Sequence, residues 1–192
     1  NYSLPLIKET IKSRNTITPK LSLRLSTSHT KDVRTTDRKI SYDNIYDLDR
    51  LGINEANEGG ISLTYGYEHS IIEKLSSEEK IKFAFANNLR FEENKDLPLN
   101  SNLGDKMSDF VGNFDYKPNK NLKFEYDFSL KNNLVDVNYE LYGFEFYLKN
   151  LTTKFEYQNE NNSNLKTSYL YNETLINLND KNTLIFETRE NK

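Results

Sequence analysis

The 192-residue sequence predicts an all-β chain, an antiparallel up-and-down meander of about ten strands that forms part of a transmembrane β-barrel. Three observations carry this expectation. No long segment places apolar residues at i, i+3, i+4 and i+7 between recognisable caps, so helices are not expected. Apolar and charged residues alternate with a period of two almost throughout, in runs of about ten residues, the length that crosses a bilayer at a tilt. Connections are alternately short and rich in turn residues, or long and polar.

Taken in chain order, Leu21, Leu23 and Leu25 oppose Ser22, Arg24 and Ser26, and a long polar connection follows near 27–57. Ile61, Leu63, Tyr65 and Tyr67 then oppose Ser62, Thr64, Gly66 and Glu68, and Phe83, Phe85, Leu89 and Phe91 oppose Lys82, Asn88 and Arg90. A second long connection lies near 92–106, at the same end of the sheet as the first by strand count. The clearest strand puts Leu122, Phe124, Tyr126, Phe128 and Leu130 on one face, against Lys123, Glu125, Asp127, Ser129 and Lys131. It is reached through the turn Lys117-Pro118-Asn119-Lys120-Asn121. From Val135 to Leu148 the apolar phase switches near Tyr142 and Gly143, which predicts a β-bulge there. Beyond the turn at Lys149-Asn150, Leu151, Phe155 and Tyr157 oppose Thr152, Lys154 and Glu156. Leu165, Tyr169 and Tyr171 oppose Lys166, Ser168 and Asn172, with Leu170 intruding on the polar side.

Composition narrows the classes. A mean hydropathy of −0.81 would suit a disordered tail, but 13 Tyr and 11 Phe are too many for one. No run approaches the roughly 20 apolar residues of a membrane-spanning helix, which leaves barrels open because their strands average out as polar. A net charge of −3 and no basic cluster argue against nucleic acid. There are no cysteines, hence no disulfide and no thiol nucleophile. The chain starts at Asn1 without Met or signal peptide and stops at Glu190-Asn191-Lys192, just after a strand, so it reads as a single-domain fragment, 1–192, of a longer protein.

Catalytic chemistry finds little support. His29 and His69 lie in or beside connections, with no HExxH or GxSxG arrangement. Asp47, Asp49, Glu55 and Glu58 surround Arg50 in the first long connection, without EF-hand spacing. The expected role of Asp49, Arg50 and Glu58 is bracing: Arg50 pairs with Asp47, Asp49 or Glu58 and folds the loop back as a lid. No catalytic, cofactor or metal residue is assigned.

Two stretches resemble a known family. Tyr46-Asp47-Leu48-Asp49-Arg50-Leu51-Gly52 through Glu58-Gly59-Gly60-Ile61-Ser62-Leu63-Thr64-Tyr65-Gly66 is similar to the Asp-Arg loop and following strand start in the barrel of the LptD family. Downstream, Leu97-Pro98-Leu99-Asn100-Ser101-Asn102-Leu103, Ser108-Asp109-Phe110-Val111-Gly112 and Leu122-Lys123-Phe124-Glu125-Tyr126-Asp127-Phe128 resemble the family's next elements in the same order. Leu184-Ile185-Phe186-Glu187-Thr188-Arg189 fits a later strand. Each motif is short and weak alone; their collinearity from about Ile17 onward carries the resemblance.

That resemblance implies a barrel of about 26 strands in the outer membrane, delivering lipopolysaccharide sideways to the outer leaflet without making or breaking a bond. It implies an LptE-like lipoprotein plug, outer-membrane lipid, and other Lpt bridge components reached through a periplasmic domain. That domain, the first and last barrel strands and a signal peptide are missing relative to the family, so no gate residue is carried over. On this reading Lys123, Glu125, Asp127, Lys154 and Glu156 face a wet lumen and Phe124, Phe128 and Phe155 face acyl chains. Tyr126, Tyr157, Tyr169 and Tyr171 sit nearer the interfaces. The alternative is a soluble all-β carbohydrate-binding or adhesin module with sugar-stacking tyrosines. A barrel lipase is a third reading, and it lacks a defensible Ser/His pair.

Overall fold

The computed structural model describes residues 1–54, 56–162, 165–179 and 181–191, and they form one open antiparallel sheet of eleven strands. Glu55 of the acidic loop and the side chain of Leu165 lie outside the described residues. The strands are β1 (Tyr2–Ser3), β2 (Leu6–Glu9), β3 (Ser13–Ser26), β4 (Gly60–Glu73), β5 (Glu79–Arg90) and β6 (Phe110–Asn119). They continue with β7 (Leu122–Leu130), β8 (Val137–Tyr147), β9 (Leu151–Asn162), β10 (Leu165–Asn179) and β11 (Asn182–Asn191). From β3 to β11 each strand pairs with its sequence neighbours, while β1 and β2 both lie along β3 on either side of Pro5. This is a partial barrel that is not closed. A 3-10 turn, Leu99–Ser101, is the one helical element among the described residues.

Hydrogen-bonded register sorts side chains into two faces, because alternate residues of a strand point to opposite sides. On one face the rows run Val111, Ser129, Tyr139, Glu160; then Asn113, Asp127, Leu141, Gln158; then Asp115, Glu125, Gly143, Glu156; and finally Lys123, Glu145, Lys154. On the other run Tyr116, Phe124, Phe144, Phe155 and Phe114, Tyr126, Tyr142, Tyr157, Leu170. The aromatic rings contact one another across strands: Tyr126 stacks on Tyr142 at 4.7 Å and Phe124 packs on Phe144 at 5.2 Å.

The aromatic face is nevertheless the open one. Phe124 is 40% and Phe155 45% exposed, and Leu21, Leu23 and Leu25 are exposed as well. Burial is concentrated on the polar face, where Ile40, Tyr42, Ile45, Leu51, Leu97 and Leu103 from the connections pack on Ala84, Ala86 and Val111 of the strands. A soluble sandwich buries its alternating apolar residues between sheets. Here the arrangement is reversed, as a strand between lipid and water requires.

Connections 27–59 and 91–109 leave the sheet at one end, and the short links 74–78, 120–121 and 148–150 at the other. Local chemistry closes the short links. The side-chain oxygen of Asn119 accepts the Asn121 amide at 2.8 Å, and Ser77 adopts a left-handed conformation at φ 58°.

Three sequence expectations need correction. Register runs unbroken through Tyr142 and Gly143, and the shift in β8 occurs instead at its start, where Ser129 faces Tyr139 but Leu130 faces Val137, leaving Asn138 as the extra residue. The phase switch arose because Tyr139 and Leu141 are apolar residues of the polar face, so hydrophobicity alone mimicked a bulge. In β10 the faces are inverted: Leu170 pairs with Tyr157 on the aromatic face, while Tyr169 and Tyr171 join Gln158, Glu156 and Arg189 on the polar one. His69 lies within β4, paired with Ile17 and Phe83.

Candidate functional site

The first long connection folds back over the polar face of the sheet. Its turn is set by the Asp49-Arg50-Leu51-Gly52 sequence: Gly52 has φ 57°, a conformation that suits glycine, and its amide donates to Asp49 Oδ1 at 3.0 Å. That turn drives Leu51 into the buried cluster and sends Arg50 onto the strand wall. A Cβ at Gly66 of β4 would stand 2.1 Å from the Tyr46 hydroxyl and 2.4 Å from the Phe85 carbonyl oxygen, so the missing side chain is what lets the connection lie this close.

Arg50 is buried and fully engaged. Its Nε and Nη2 donate to Glu58 at 2.6 and 2.5 Å, a bidentate pair with both side chains almost wholly out of water. Nη1 donates to the Ile45 carbonyl and to Thr64 Oγ1, and Nη2 also to Ser62 Oγ and Asn88 Oδ1, joining the connection to β4 and β5. Glu58 is shared: Arg90 Nη1 donates to it at 2.5 Å and Arg24 Nε stands 3.9 Å away. Burial alone would raise the Glu58 pKa, but the Arg50 bond and the charges of Arg50, Arg24 and Arg90 hold it below its ordinary 4.5.

Of the residues expected to brace the loop, Arg50 and Glu58 therefore meet in a buried pair, and Asp49 acts on the Gly52 amide instead. The carbonyls of Asp47 and Leu48 accept from Arg24. Arg24, Arg90, Ser62, Thr64 and Asn88 were missed as partners. Their signal was present, since small hydroxyl and amide residues occupy polar-phase positions where the other strands carry long charged ones.

Further contacts extend the cover. Tyr42 donates to Glu68 at 3.2 Å, and Glu68 also pairs with Lys20 at 2.9 Å. Burial, then the Glu68 charge, pushes the Tyr42 hydroxyl pKa up. Lys39 pairs with Glu160 of β9 and lies over the Tyr139 ring. The second long connection docks on the first: the Val33 amide donates to the Asp96 carbonyl at 2.8 Å, and Asn94 donates to Thr30 at 2.7 Å. Asp109 ends it, accepting from Asn102, Ser129 and Asn138 at 2.7, 2.9 and 2.5 Å. Burial raises its pKa above 3.8 against the pull of those three donors and of the Lys131 charge. The displaced Asn138 of β8 thus serves a buried carboxylate.

Lys123, Glu125, Asp127, Lys154 and Glu156 share the polar face. Lys123 pairs with Glu125 and, at 3.7 Å, with Asp115; Lys154 pairs with Glu156 at 2.6 Å and Glu145 at 3.9 Å. Among the described residues Asp127 has no ion pair. These charges form ion-paired ladders along the wall.

The Glu58 carboxylate makes the cover acid-sensitive. Because its folded pKa lies below the unfolded 4.5, its contribution is complete above about pH 4.5 and is lost as pH falls through the lower folded value. Proteolysis of residues 27–59 in the intact detergent-solubilised protein is expected to accelerate as pH falls below about 4.5. Unchanged cleavage down to the pH of global unfolding would rule this out.

Comparison with known proteins agrees with the geometry. The sequence model of the family described as LPS transport system D, LptD, matches residues 1–190. Among the curated proteins, none matches the chain at a significant level.

Proposed function

The chain belongs to the LptD family, and on that premise we propose that it forms part of an outer-membrane β-barrel translocon that assembles lipopolysaccharide in the outer leaflet. The observation that carries this reading is the reversal of the two faces. Aromatic and aliphatic side chains are presented outward, and the charged face is the one covered by the chain's own connections. In this proposal Lys123, Glu125, Asp127, Lys154 and Glu156 line the lumen, and Asp49, Arg50 and Glu58 brace the 27–59 connection as an external lid.

The barrel is a path and not a catalyst: it makes and breaks no bond, and the driving energy comes from the rest of the transport machine. An LptE-like plug fits the lumen, where paired charges stay hydrated, and bridge components engage a periplasmic domain of the intact protein. The soluble-module alternative is disfavoured by the exposure of the aromatic face.

Depletion of the intact protein in its host tests the proposal. New lipopolysaccharide is expected to stop reaching the cell surface while its synthesis continues, and the protein is expected to need detergent for extraction. A protein released into plain buffer as a soluble monomer would overturn the barrel reading.

A further inference from the structure

The outward face records how the sheet sits in a bilayer. One hydrogen-bonded row joins Ile17 of β3, Tyr142 of β8 and Glu190 of β11. On β3 the apolar run starts at Ile17 and continues toward the long connections through Leu21, Leu23 and Leu25, with Asn15 and Ser13 on the short-link side. On β8 Tyr142 ends the run: Phe144 and Phe146 lie toward the short links, and Glu140 lies beyond it. On β11 the run is Leu184 and Phe186, already short of Glu190. The apolar band therefore crosses the sheet obliquely, as it must when strands tilt by about 40° in a bilayer. Its edge toward the short links falls, on β2 and β3, between Leu6 and Lys8 and between Ile17 and Asn15.

An open groove of about 400 Å³ lies at that edge, its lining including Leu6, Ile7, Lys8, Asn15, Ile17 and His69. Leu6 pairs with Ile17, and Lys8 pairs with Asn15 one step nearer the short links; His69 stands beside Ile17 on the same face. The Lys8 ammonium is exposed and has no ion pair among the described residues, because the neighbouring Glu9 points to the other face and is taken by Arg14 and Lys74. His69 contacts the Tyr67 ring and makes no hydrogen bond among the described residues. Asn15 gives one N–H to Ser13 Oγ at 3.3 Å and has a second to offer. An ammonium, an imidazole and an amide thus border one apolar groove, with polar groups on its outer side and aliphatic ones toward the middle of the band.

We propose that this groove binds an anionic glycerophospholipid of the leaflet at the short-link end, its phosphate held by Lys8, His69 and Asn15 and an acyl chain lying over Leu6 and Ile17. The order of the groups matches the order within such a lipid. A lysine at the edge of an apolar surface lays its stem along that surface and keeps its charge at headgroup level. A lipid phosphate brings that charge a counter-ion and covers the aliphatic side chains in the same step; a free anion would leave Leu6, Ile7 and Ile17 bare. Lipopolysaccharide, by the function proposed above, is delivered to the leaflet at the other end of the sheet. The inference rests on the barrel reading of the outward face and adds a lipid site to it.

The test places the intact protein in vesicles of phosphatidylcholine and phosphatidylglycerol in equal amounts, extracts it in mild detergent and counts the retained lipids by native mass spectrometry. Wild type is expected to retain phosphatidylglycerol several-fold over phosphatidylcholine. The Lys8→Gln, His69→Gln double variant is expected to lose the preference, and Lys149→Gln, exposed at the same end of the sheet but outside the groove, to keep it. Should the double variant fail to fold, Lys8→Gln alone, on an exposed and unpaired side chain, is expected to reduce the preference. No preference in the wild type, an undiminished preference in the Lys8 variants, or an equal loss in Lys149→Gln would overturn the site. Displacement of the lipid by millimolar inorganic phosphate would overturn it too, by showing that the chain contributes nothing. A protein that does not enter the vesicles overturns both this site and the barrel reading; one that enters without a lipid preference overturns the site alone.

Discussion

Replacing Glu58 with Gln is expected to release the 27–59 connection from the sheet and destabilise the barrel by about 3–5 kcal/mol, the usual cost of removing one partner from a buried ion pair. The magnitude follows from what remains. Glu58 is the shared anion of Arg50, Arg90 and Arg24, so its loss leaves three guanidinium groups together, two of them buried and stripped of their paired carboxylate, while Arg24 keeps only the fields of Asp49 and Asp47. Limited proteolysis of the intact protein should show cleavage within 27–59 that the wild type resists. Arg50→Lys is expected to fall between wild type and Glu58→Gln, since an ammonium is a point charge that cannot reach Glu58, Ser62, Thr64, Asn88 and the Ile45 carbonyl together. Wild-type protection in Glu58→Gln would sink the bracing role, whatever the family does.

Phe124→Lys is expected to cost about 2 to 4 kcal/mol if the residue sits at the bilayer midplane, with less near an interface. Phe124 lies on the aromatic face, packed between Phe144 and Tyr116 and 40% exposed, so an ammonium there has hydrocarbon on one side and rings on the other. The matched control is Glu125→Gln, one residue along and on the polar face, expected to leave folding nearly unchanged. Folding of the intact protein into lipid, followed by the electrophoretic shift between folded and unfolded barrel, measures both. If the two variants behave alike, the assignment of the faces is wrong.

Much of the fold was legible because strand alternation is a local property. The β7 run from Leu122 to Leu130 separates its two faces with no knowledge of its neighbours, and the same holds for β4 and β5. Legibility ended where a face was chemically mixed. Tyr139 and Leu141 on the polar face imitated a bulge at Gly143, and Tyr169 and Tyr171 drew β10 into the wrong phase. Only pairing with Gln158 and Glu156 reveals where those rings point. Tyrosine tolerates either environment, having an apolar body and a polar tip, so its position does not identify a face.

The candidate site divides the same way. An arginine amid four acids promised an ion pair, and the glycine after Asp49-Arg50-Leu51 promised a turn; both are short-range statements. Which acid Arg50 takes, and that Arg24 and Arg90 share it, depends on segments 8 to 38 residues apart closing on one another. Sequence alone thus determined the strands, their apolar and polar faces in most of the sheet, and the end at which the long connections lie. The tertiary structure decided that the large side chains of the buried apolar cluster come from those connections, the strands adding only Ala84, Ala86 and Val111. The physical reason is that the aromatic face points away from the connections, leaving Ile40, Ile45, Leu51, Leu97 and Leu103 to find a dry partner, and the small residues Ala84 and Ala86 on the polar wall provide it.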